Sequence, residues 1–401
     1  MLVAEPVSGT IAAYSLDTAG NPIPGTRRAF FSGPPFRAPQ GVAFDRISGD
    51  LLVSTRLNSG SAIYRISGFN SGPGVGFSSL SQCMEITTPG HFTLTVNLTD
   101  TQGGGCVKIH DTYNVEIECN NLTIFGRPAI SVANVNGFVI RNCRLEGPSG
   151  TGIAVSNSGR GEIVKNTIGS LAALHLSTVD FYAVRSTVLS DNTIFGAFQH
   201  HRSTGTSILP NRFTAPRPTS SPLLPGLILS DGSLNVQSMP FTLSIESNVL
   251  DGQSSPTNTT TGVQTGILLA DGKKLNVSGN QIRNTILAAI MTSGNIVESN
   301  FSGNTIDTTE YAISGRSSNS WTNVRVAGNH VSNVLGLFVL TRTFGLRPAN
   351  WDGQGASADK GVYFQGNSFS GNRLTPGPSP AEHATTLPIF DLLRGYQIKR
   401  L

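Results

Sequence analysis

Apolar and polar residues alternate along most of this chain in short segments, and turn-forming residues follow each segment. The segments share one pattern: an apolar residue stands three positions before a recurring asparagine, and in several segments another stands five positions before it, as Ile245 and Leu243 do before Asn248. Because alternate residues of a β-strand face the same side, these apolar positions share one face of a strand. The recurring asparagines are Asn166, Asn192, Asn211, Asn248, Asn280, Asn304, Asn329 and Asn367. The pattern predicts many short strands, each with one apolar face.

The strands belong to a repeat of about 21–26 residues that shows no helix pattern. One unit of this size cannot bury its apolar face alone, whereas stacked copies bury a continuous core. We therefore predict about ten coils of three short parallel strands, with the asparagines stacked at one corner and their amides hydrogen-bonded along the stack. Longer intervals indicate a coil with an insertion, and the 37 residues from Asn211 to Asn248 leave room for a deformed additional coil.

The repeat resembles the right-handed parallel β-helix of the pectate-lyase-like superfold over about residues 80–372. The segment Pro89-Gly90-His91-Phe92-Thr93-Leu94 is similar to the one with which many of these proteins begin the helix. The resemblance implies an all-β solenoid of about ten rungs. It is weak for function, because the fold carries lyases, hydrolases, epimerases, esterases, tailspikes and adhesins.

The first 68 residues carry a different pattern. The run from Pro39 to Asp45, the turn at Ser48-Gly49-Asp50 and the strand from Leu51 to Thr55 resemble a blade of the NHL and SMP-30-like β-propellers. Propellers need about four to eight blades, so we expect a partial blade or a vestige, with an ordinary β-meander as the alternative. The predicted organisation is therefore a small antiparallel β segment at 1–68, a linker at 69–81, the β-helix at 82–372 and a C-terminal tail or cap at 373–401.

Composition narrows the class of protein further. Charged residues make up 13% of the chain, the net charge is +4, and the basic residues are scattered. This distribution predicts no nucleic-acid partner, and no apolar run is long enough for a transmembrane helix. The N-terminal sequence shows no signal peptide, so an extracellular or cell-envelope location follows from the resemblance alone, with a truncated N-terminus as one explanation.

Four residues are the candidate catalytic group, namely Asp180, Arg185, His200 and His201. Tyr182 and Arg202 lie beside them in the sequence. A histidine pair near an aspartate and an arginine offers a base and a group that neutralises charge, about one rung apart. The alternative interpretation is that these are polar loop residues. No catalytic residue follows from the resemblance, because the motifs of polygalacturonases, alginate epimerases and pectin esterases are absent.

A second group is predicted to bind carbohydrate. The group consists of Arg316, Phe338 and Trp351. Arg316 is the only charged residue on the outward columns of one predicted sheet, and Phe338 is predicted to align with Ser314 on the same sheet. Trp351 lies in a long insertion with several arginines, and its ring offers a platform for stacking on a sugar, unless it covers the end of the rod. No metal-binding spacing occurs, so the cofactor is unknown and Ca²⁺ is implied by the resemblance alone.

The four cysteines divide into two pairs. Cys83 and Cys106 lie one repeat apart where the β-helix begins, and a disulfide there would hold a frayed end and imply an oxidising compartment. Cys119 falls in an inward column and Cys143 replaces an asparagine of the stack. We expect the latter two to be buried free thiols.

Three hypotheses for function remain at this point. The first is a secreted or surface β-helix protein that engages carbohydrate or a cell surface without a recognisable catalytic motif. The second is a polysaccharide lyase or glycoside hydrolase with a non-standard site at the four candidate residues. The third is an adhesin-like or tailspike-like structural rod. Convergence of the candidate side chains in one groove would favour the second.

Overall fold

The structure is a computed structural model of the 401-residue chain. It describes residues 2–15, 21–32, 38–44, 51–57, 60–66, 77–147, 151–169, 178–215, 224–231, 242–253, 262–315, 320–340, 355–357 and 362–370. These residues form strands and turns without a helix. The contacts between residues divide the chain into two compact units, 1–77 and 78–401.

The first unit consists of two three-stranded antiparallel sheets, as expected for a small antiparallel β segment. One sheet contains Leu2–Glu5, Thr10–Ala13 and Arg28–Ser32, and the other contains Pro39–Phe44, Leu51–Leu57 and Gly60–Ile66. Ile11, Leu51 and Val53 form its small buried core.

The second unit is a parallel β-helix. Each coil contributes one strand to each of three sheets, which we call sheets A, B and C in chain order. Sheet A contains Met84–Ile86, Val107–His110, Ile130–Ala133, Ile153–Ser156, Val179–Tyr182, Phe198–His201, Leu224–Asp231, Val263–Lys273 and Ala288–Val297. Sheet B contains Phe77–Leu80, Gly90–Leu94, Tyr113–Glu118, Asn136–Arg141, Gly159–Val164, Val188–Ser190, Thr206–Ile208, Leu243–Glu246, Asn276–Ser278, Asn300–Ser302, Arg325–Ala327, Gly355–Ser357 and Val362–Gln365. Sheet C contains Leu98–Thr99, Thr123–Phe125, Arg144–Glu146, Thr167–Ile168, Thr193–Phe195, Arg212–Thr214, Val249–Asp251, Gln281–Arg283 and Ser368–Ser370.

Near the C-terminal end of the rod, strands run through a corner from one sheet into the next. Thr305–Gly315 and His330–Leu340 begin in sheet C and continue into sheet A, and Ser320–Thr322 pairs with the end of Ala288–Val297. Eleven of the thirteen strands in sheet B are stacked as successive coils, from Gly90–Leu94 to Val362–Gln365. We number the coils from 1 to 11 on this basis, so the predicted number of about ten is confirmed.

The apolar columns predicted from the sequence line the inside of the coil. In sheet B, Ile140 pairs in register with Ile163, and Ile163 pairs with Leu189. All three side chains are fully buried. The parallel register therefore stacks like residues on like, and one continuous core runs through the rod.

The asparagines form the predicted ladder at the corner between sheets B and C. The side-chain oxygen Oδ1 of Asn280 accepts hydrogen bonds from the backbone N–H and the Nδ2 amide of Asn248, each at 3.0 Å. Asn248 also donates from Nδ2 to the carbonyl oxygen of Ile208 at 2.9 Å. The same arrangement links Asn166, Asn192, Asn211, Asn248, Asn280, Asn304, Asn329 and Asn367. These polar side chains can be buried because the ladder satisfies their hydrogen-bonding groups.

No additional coil lies between Asn211 and Asn248 in the described residues. Phe213 pairs directly with Leu250, and Phe198 pairs directly with Ile228. The long interval is therefore an insertion between consecutive coils, and the prediction of a deformed coil there is wrong.

Two disulfides join the first three coils. Cys83 is bonded to Cys106, and Cys119 is bonded to Cys143 with 4.8 Å between their Cα atoms. The expectation of free thiols at Cys119 and Cys143 is wrong. Cys119 follows the sheet B strand of coil 2, and Cys143 follows that of coil 3. The stacking of these coils brings the two cysteines together, although alternation alone assigned Cys119 to the core and Cys143 to the asparagine stack.

Candidate functional site

The candidate site lies on the outer face of sheet A at coils 5 and 6. In Val179–Tyr182 and Phe198–His201 every second residue is buried, so Asp180, Tyr182, Gln199 and His201 face outward. The register places Asp180 beside Gln199 and Tyr182 beside His201. We call these four residues and Arg202 the central cluster.

Asp180 is the unusual member of the central cluster. Its carboxyl oxygen Oδ1 is buried and has no hydrogen-bond partner among the residues that the structure describes. Burial raises the pKa of Asp180, and the charge of the neighbouring His201 opposes this shift. A buried acceptor without a partner costs about 1–3 kcal/mol, so this carboxyl group is poised to gain from a ligand that donates a hydrogen bond.

Arg202 fixes Tyr182. Its Nη1 donates a hydrogen bond to the Tyr182 hydroxyl at 2.9 Å, and its Cζ lies 5.7 Å from the centroid of the Tyr182 ring. A guanidinium group at this distance also attracts the ring electrostatically. The tyrosine is thereby held on the outer face beside His201, whose Nε2 lies 3.3 Å from Oε1 of Gln199.

His200 is separated from the other candidate residues by the strand itself. It is fully buried inside the coil, where Nδ1 lies 3.1 Å from Ser230 Oγ and Nε2 lies 2.9 Å from Thr206 Oγ1. Burial, with a smaller contribution from His201, lowers the pKa of His200 to about 3. The predicted catalytic role of His200 therefore has no geometric support, because adjacent residues of a strand face opposite sides.

Arg185 also lies apart from the central cluster. It sits exposed at the corner between sheets A and B, where its backbone bridges to Gly159 and Thr204. None of its described contacts is with Asp180. The structure thus brings together Asp180 and His201 of the four predicted residues, and it adds Tyr182, Arg202 and Gln199. Sequence reasoning had grouped Tyr182 and Arg202 with the candidates but had missed Gln199, which strand alternation could have found.

The structure describes one of the three predicted carbohydrate-binding residues, Phe338. Arg316 and Trp351 lie outside the described residues. Phe338 belongs to the strand His330–Leu340, whose register pairs it with Ile313 of the core, whereas Val339 pairs with Ser314. The predicted alignment of Phe338 with Ser314 is therefore displaced by one residue.

The outer face changes character on either side of the central cluster. Toward the N-terminus it carries the small, partly exposed residues Ala154 and Ser156. Toward the C-terminus, Leu229, Leu268 and Met291 continue the column of Asp180 and Gln199, and they are almost completely buried. They form a small apolar cluster of their own outside the coil. The polar cluster thus borders a covered apolar patch on one side and a shallow, accessible surface on the other.

An open groove of about 800 Å³, lined by mostly polar residue types, lies on the outer face of sheet B near the C-terminal end of the rod. Asn300 and Arg325 contribute to its floor, and Nδ2 of Asn300 donates hydrogen bonds to Asn276 and Ser302. The buried polar atoms that lack partners in the described residues lie elsewhere. The central cluster is therefore the stronger candidate.

The described part of the chain shows no group of three or more His, Cys, Asp or Glu residues close enough to hold a metal ion. It also shows no helix with the length and apolar character needed to cross a membrane.

A comparison with known protein families supports the fold. Residues 83–237 match a family model described as "Right handed beta helix region". With the parallel register, this match confirms the predicted right-handed parallel β-helix. No curated protein matches the chain.

Two solved structures are similar over most of the chain. The A-module of the mannuronan C-5 epimerase AlgE6 from Azotobacter vinelandii is 12% identical, with a TM-score of 0.44, covering 75% of this chain and 81% of that one. A DFA-IIIase variant from Arthrobacter chlorophenolicus A6 is 10% identical, with a TM-score of 0.32, covering 73% and 71%. At these TM-scores, neither similarity assigns a role to any residue of this chain.

Proposed function

We propose that this right-handed parallel β-helix binds a polysaccharide across the outer face of sheet A, with the central cluster as the main contact. The observation that carries the proposal is the buried Oδ1 of Asp180, which has no hydrogen-bond partner among the described residues. Unpaired buried polar groups are rare in folded proteins. Rotation of the Asp180 side chain would bring this oxygen to a donor of a bound ligand, which would then gain a hydrogen bond without displacing one made by the described residues.

The chemistry around Asp180 suits a sugar chain. Hydroxyl groups both donate and accept hydrogen bonds, and the cluster offers a carboxyl group, a phenol, an amide and an imidazole within two adjacent strands. The small residues Ala154 and Ser156 leave space beside them for a chain that lies along the rod.

We further propose that the protein acts in an oxidising compartment such as the extracellular space. All four cysteines of the chain are paired in two disulfides. Disulfides persist in secreted and cell-surface proteins and are rare in the cytosol.

The test of binding uses Asp180→Ala and a panel of soluble polysaccharides in isothermal titration calorimetry. We expect at least one polysaccharide to bind the wild type, and we expect Asp180→Ala to weaken that binding about tenfold or more. Folding stability should be unchanged or higher in the variant, because the unpartnered carboxyl group is removed. Glu162→Ala, which removes an outward carboxylate on sheet B of coil 4, is the matched control. Equal affinity of the wild type and Asp180→Ala would refute the proposal, as would a wild type that binds none of the polymers.

A second candidate function is acid–base cleavage of the bound chain, favoured by the diagonal position of His201 relative to Asp180 on adjacent strands of sheet A. A carboxyl group with a raised pKa can serve as a general acid, and an adjacent imidazole can serve as a base. Activity should then fall as pH rises through the raised pKa of Asp180, and Asp180→Ala and His201→Ala should both abolish product formation. His200→Gln should retain it. Unsaturated products would indicate elimination, whereas reducing ends alone would indicate hydrolysis.

A further inference from the structure

Tyr182 places an aromatic ring on the outer face of the coil at a position where the fold does not require one. The residues in register with it are Ser156 in coil 4 and His201 in coil 6, and Ala133 precedes Ser156 in coil 3. Tyr182 is partly exposed and belongs to none of the apolar clusters among the described residues. Its ring therefore adds apolar surface outside the core of the coil.

In the register of sheet A, Tyr182 stands between a long side chain and a group of small ones. On the side of coil 6, Arg202 donates a hydrogen bond to its hydroxyl at 2.9 Å and lies 5.7 Å from the ring centroid. On the other side, coils 3 and 4 present four small, partly exposed residues, which we call the shelf: Ser131, Ala133, Ala154 and Ser156. Adjacent strands lie about 4.8 Å apart, so coil 3 is about 10 Å from Tyr182 along the rod.

Arg202 restrains the ring of Tyr182 before any ligand arrives. A side chain that is already fixed loses less conformational freedom when it binds, and this favours affinity. The hydroxyl oxygen of Tyr182 accepts the hydrogen bond from Arg202, so the hydroxyl proton can still be donated to a ligand. Tyrosine combines an apolar ring with a polar tip. Tyr182 thus forms a restrained wall, apolar over its ring and polar at its end, beside the shelf.

Asp180 borders the same shelf in the second outward column. It is in register with Ala154, and its buried Oδ1 has no hydrogen-bond partner among the described residues. The strand Val179–Tyr182 therefore presents an aromatic ring and a carboxyl group side by side next to small residues. A sugar ring has complementary features, since its faces are lined by C–H bonds and its edge carries hydroxyl groups.

We infer that Tyr182 stacks against the face of a sugar ring on the shelf, and that the bound polysaccharide is uncharged and equatorially linked, as a β-glucan is. This inference rests on the proposed polysaccharide-binding function, and it specifies the class of polymer. Stacking on an aromatic ring requires a sugar face that carries C–H bonds alone. An axial linkage puts an oxygen on that face, whereas equatorial linkages leave it clear. The carboxyl group of Asp180 at the same wall disfavours a polymer that carries carboxylates of its own.

The experiment measures binding of soluble β-glucan, amylose and polygalacturonate by isothermal titration calorimetry. β-Glucan and amylose are both uncharged polymers of glucose, and they differ in whether the linkage is equatorial or axial. Polygalacturonate is charged and axially linked. We expect the wild type to bind β-glucan about tenfold more tightly than either of the other polymers, and we expect Tyr182→Ala to bind β-glucan about tenfold more weakly than the wild type does.

Three further variants separate the ring from the hydroxyl group and from the fold. Tyr182→Phe keeps the ring and should bind β-glucan within about threefold of the wild type. Arg202→Gln leaves the ring in place without its restraint and should weaken binding by about threefold. Tyr113→Ala removes an exposed tyrosine from sheet B of coil 2 and should bind as the wild type does. The Tm of Tyr182→Ala should equal that of the wild type, because the ring lies outside the core.

The outcomes distinguish this inference from the proposed function. If the wild type binds no polymer, the proposed function fails and this inference fails with it. If Asp180→Ala weakens the binding of a polymer and Tyr182→Ala does not, polysaccharide binding stands and stacking on Tyr182 is refuted. Tighter binding of amylose or polygalacturonate than of β-glucan would also overturn the inference, as would an equal loss of affinity in Tyr182→Phe and Tyr182→Ala.

Discussion

His200 and His201 are neighbours in the chain but occupy opposite environments. His201 is partly exposed on the outer face, whereas His200 is sealed inside the coil between the hydroxyl groups of Thr206 and Ser230. Its ring also lies 5.9 Å from that of Phe198. A protonated imidazole in this position would lose the solvation of its charge. His200 is therefore a neutral structural residue at physiological pH.

The buried His200 makes the fold sensitive to acid. Because burial lowers its pKa to about 3 from an ordinary value near 6.5, the folded state resists a proton that the unfolded state accepts. The protonation of His200 leaves the free energy of unfolding unchanged above pH 6.5. As the pH falls from 6.5 toward 3, it lowers that free energy by up to about 1.4 kcal/mol per pH unit. We expect His200→Gln to flatten the dependence of Tm on pH in this window, as measured by circular dichroism.

His201→Gln is the control for this measurement, because it removes an imidazole from the outer face of the same strand. Its Tm should depend on pH as that of the wild type does between pH 3 and 6.5. Parallel profiles for His200→Gln and the wild type would show that the buried imidazole does not govern acid stability.

The central cluster could be only partly predicted from the sequence. Alternation places Asp180 and Tyr182 on one face, and it assigns His201 to that face and His200 to the other once the strand bounds are known. The strand bounds therefore decide which of the two histidines faces outward, and a sequence pattern predicts such bounds less accurately than it predicts the strand itself. Arg202 could not be placed at all, because its direction depends on a left-handed corner.

At the scale of the element, the asparagine ladder is the polar device that fixes the register of the coils. Asn248 uses its amide fully: Nδ2 donates to Ile208, Glu246 and Asn280, and Oδ1 accepts from Asn211. A slip of one residue would replace every one of these partners. The ladder was predictable from the sequence because the asparagine recurs at the same place in each repeat.

Removal of one ladder residue should therefore cost more than the loss of its own volume. We expect Asn248→Ala to destabilise the fold by about 3 kcal/mol or more, because the backbone N–H of Asn211 and the carbonyl oxygen of Ile208 lose partners while buried. The shift in the urea midpoint measures the effect. Asn300→Ala should cost less, because Asn300 lies partly buried on the outer face of sheet B, outside the ladder, where its amide donates to Asn276 and Ser302. Equal and small effects at both positions would contradict this account.

Sequence spacing could predict one of the two disulfides but not the other. Cys83 and Cys106 are one repeat apart at equivalent places, so their proximity could be expected. Cys119 and Cys143 are also about one repeat apart, but the patterns assigned one to the core column and the other to the ladder. The corner geometry between sheets B and C resolves the conflict, and no alternation rule describes that geometry.

At the scale of the whole rod, covalent bonds are confined to one end. The two disulfides connect coil 1 to coil 2 and coil 2 to coil 3, and no cysteine remains to join any later coil. In a solenoid each coil contacts only its neighbours, so the ends can open independently of the middle. We expect coils 1–3 to be the last to exchange their amide hydrogens in moderate urea, as measured by hydrogen exchange with mass spectrometry.

The paired variant Cys119→Ala/Cys143→Ala tests the cause of this order. A disulfide that closes a loop of this length contributes about 3 kcal/mol in the chain-entropy account. Protection of coils 2 and 3 should fall toward that of the C-terminal coils in the variant, while the later coils keep their wild-type rates. Unchanged protection of coils 2 and 3 would show that packing, rather than the bond, holds them.

The overall architecture follows from sequence more completely than the site does. Repetition gives every coil the same apolar columns, so many weak signals point to one structure. The candidate site is not repeated in this way. Asp180, Tyr182 and Arg202 each stand at a position where the neighbouring coils carry a different type of residue.

The asparagine ladder has a direction. From Asn192 onward, each side-chain carbonyl accepts from the asparagine of the preceding coil, so the amide dipoles of the row point the same way along the rod. Aligned hydrogen-bonded dipoles polarise one another, and each added member strengthens those already in the row. The coils therefore do not contribute equal increments of stability. A rod shortened by half would therefore lose more than half of the stability that the hydrogen bonds of the ladder provide.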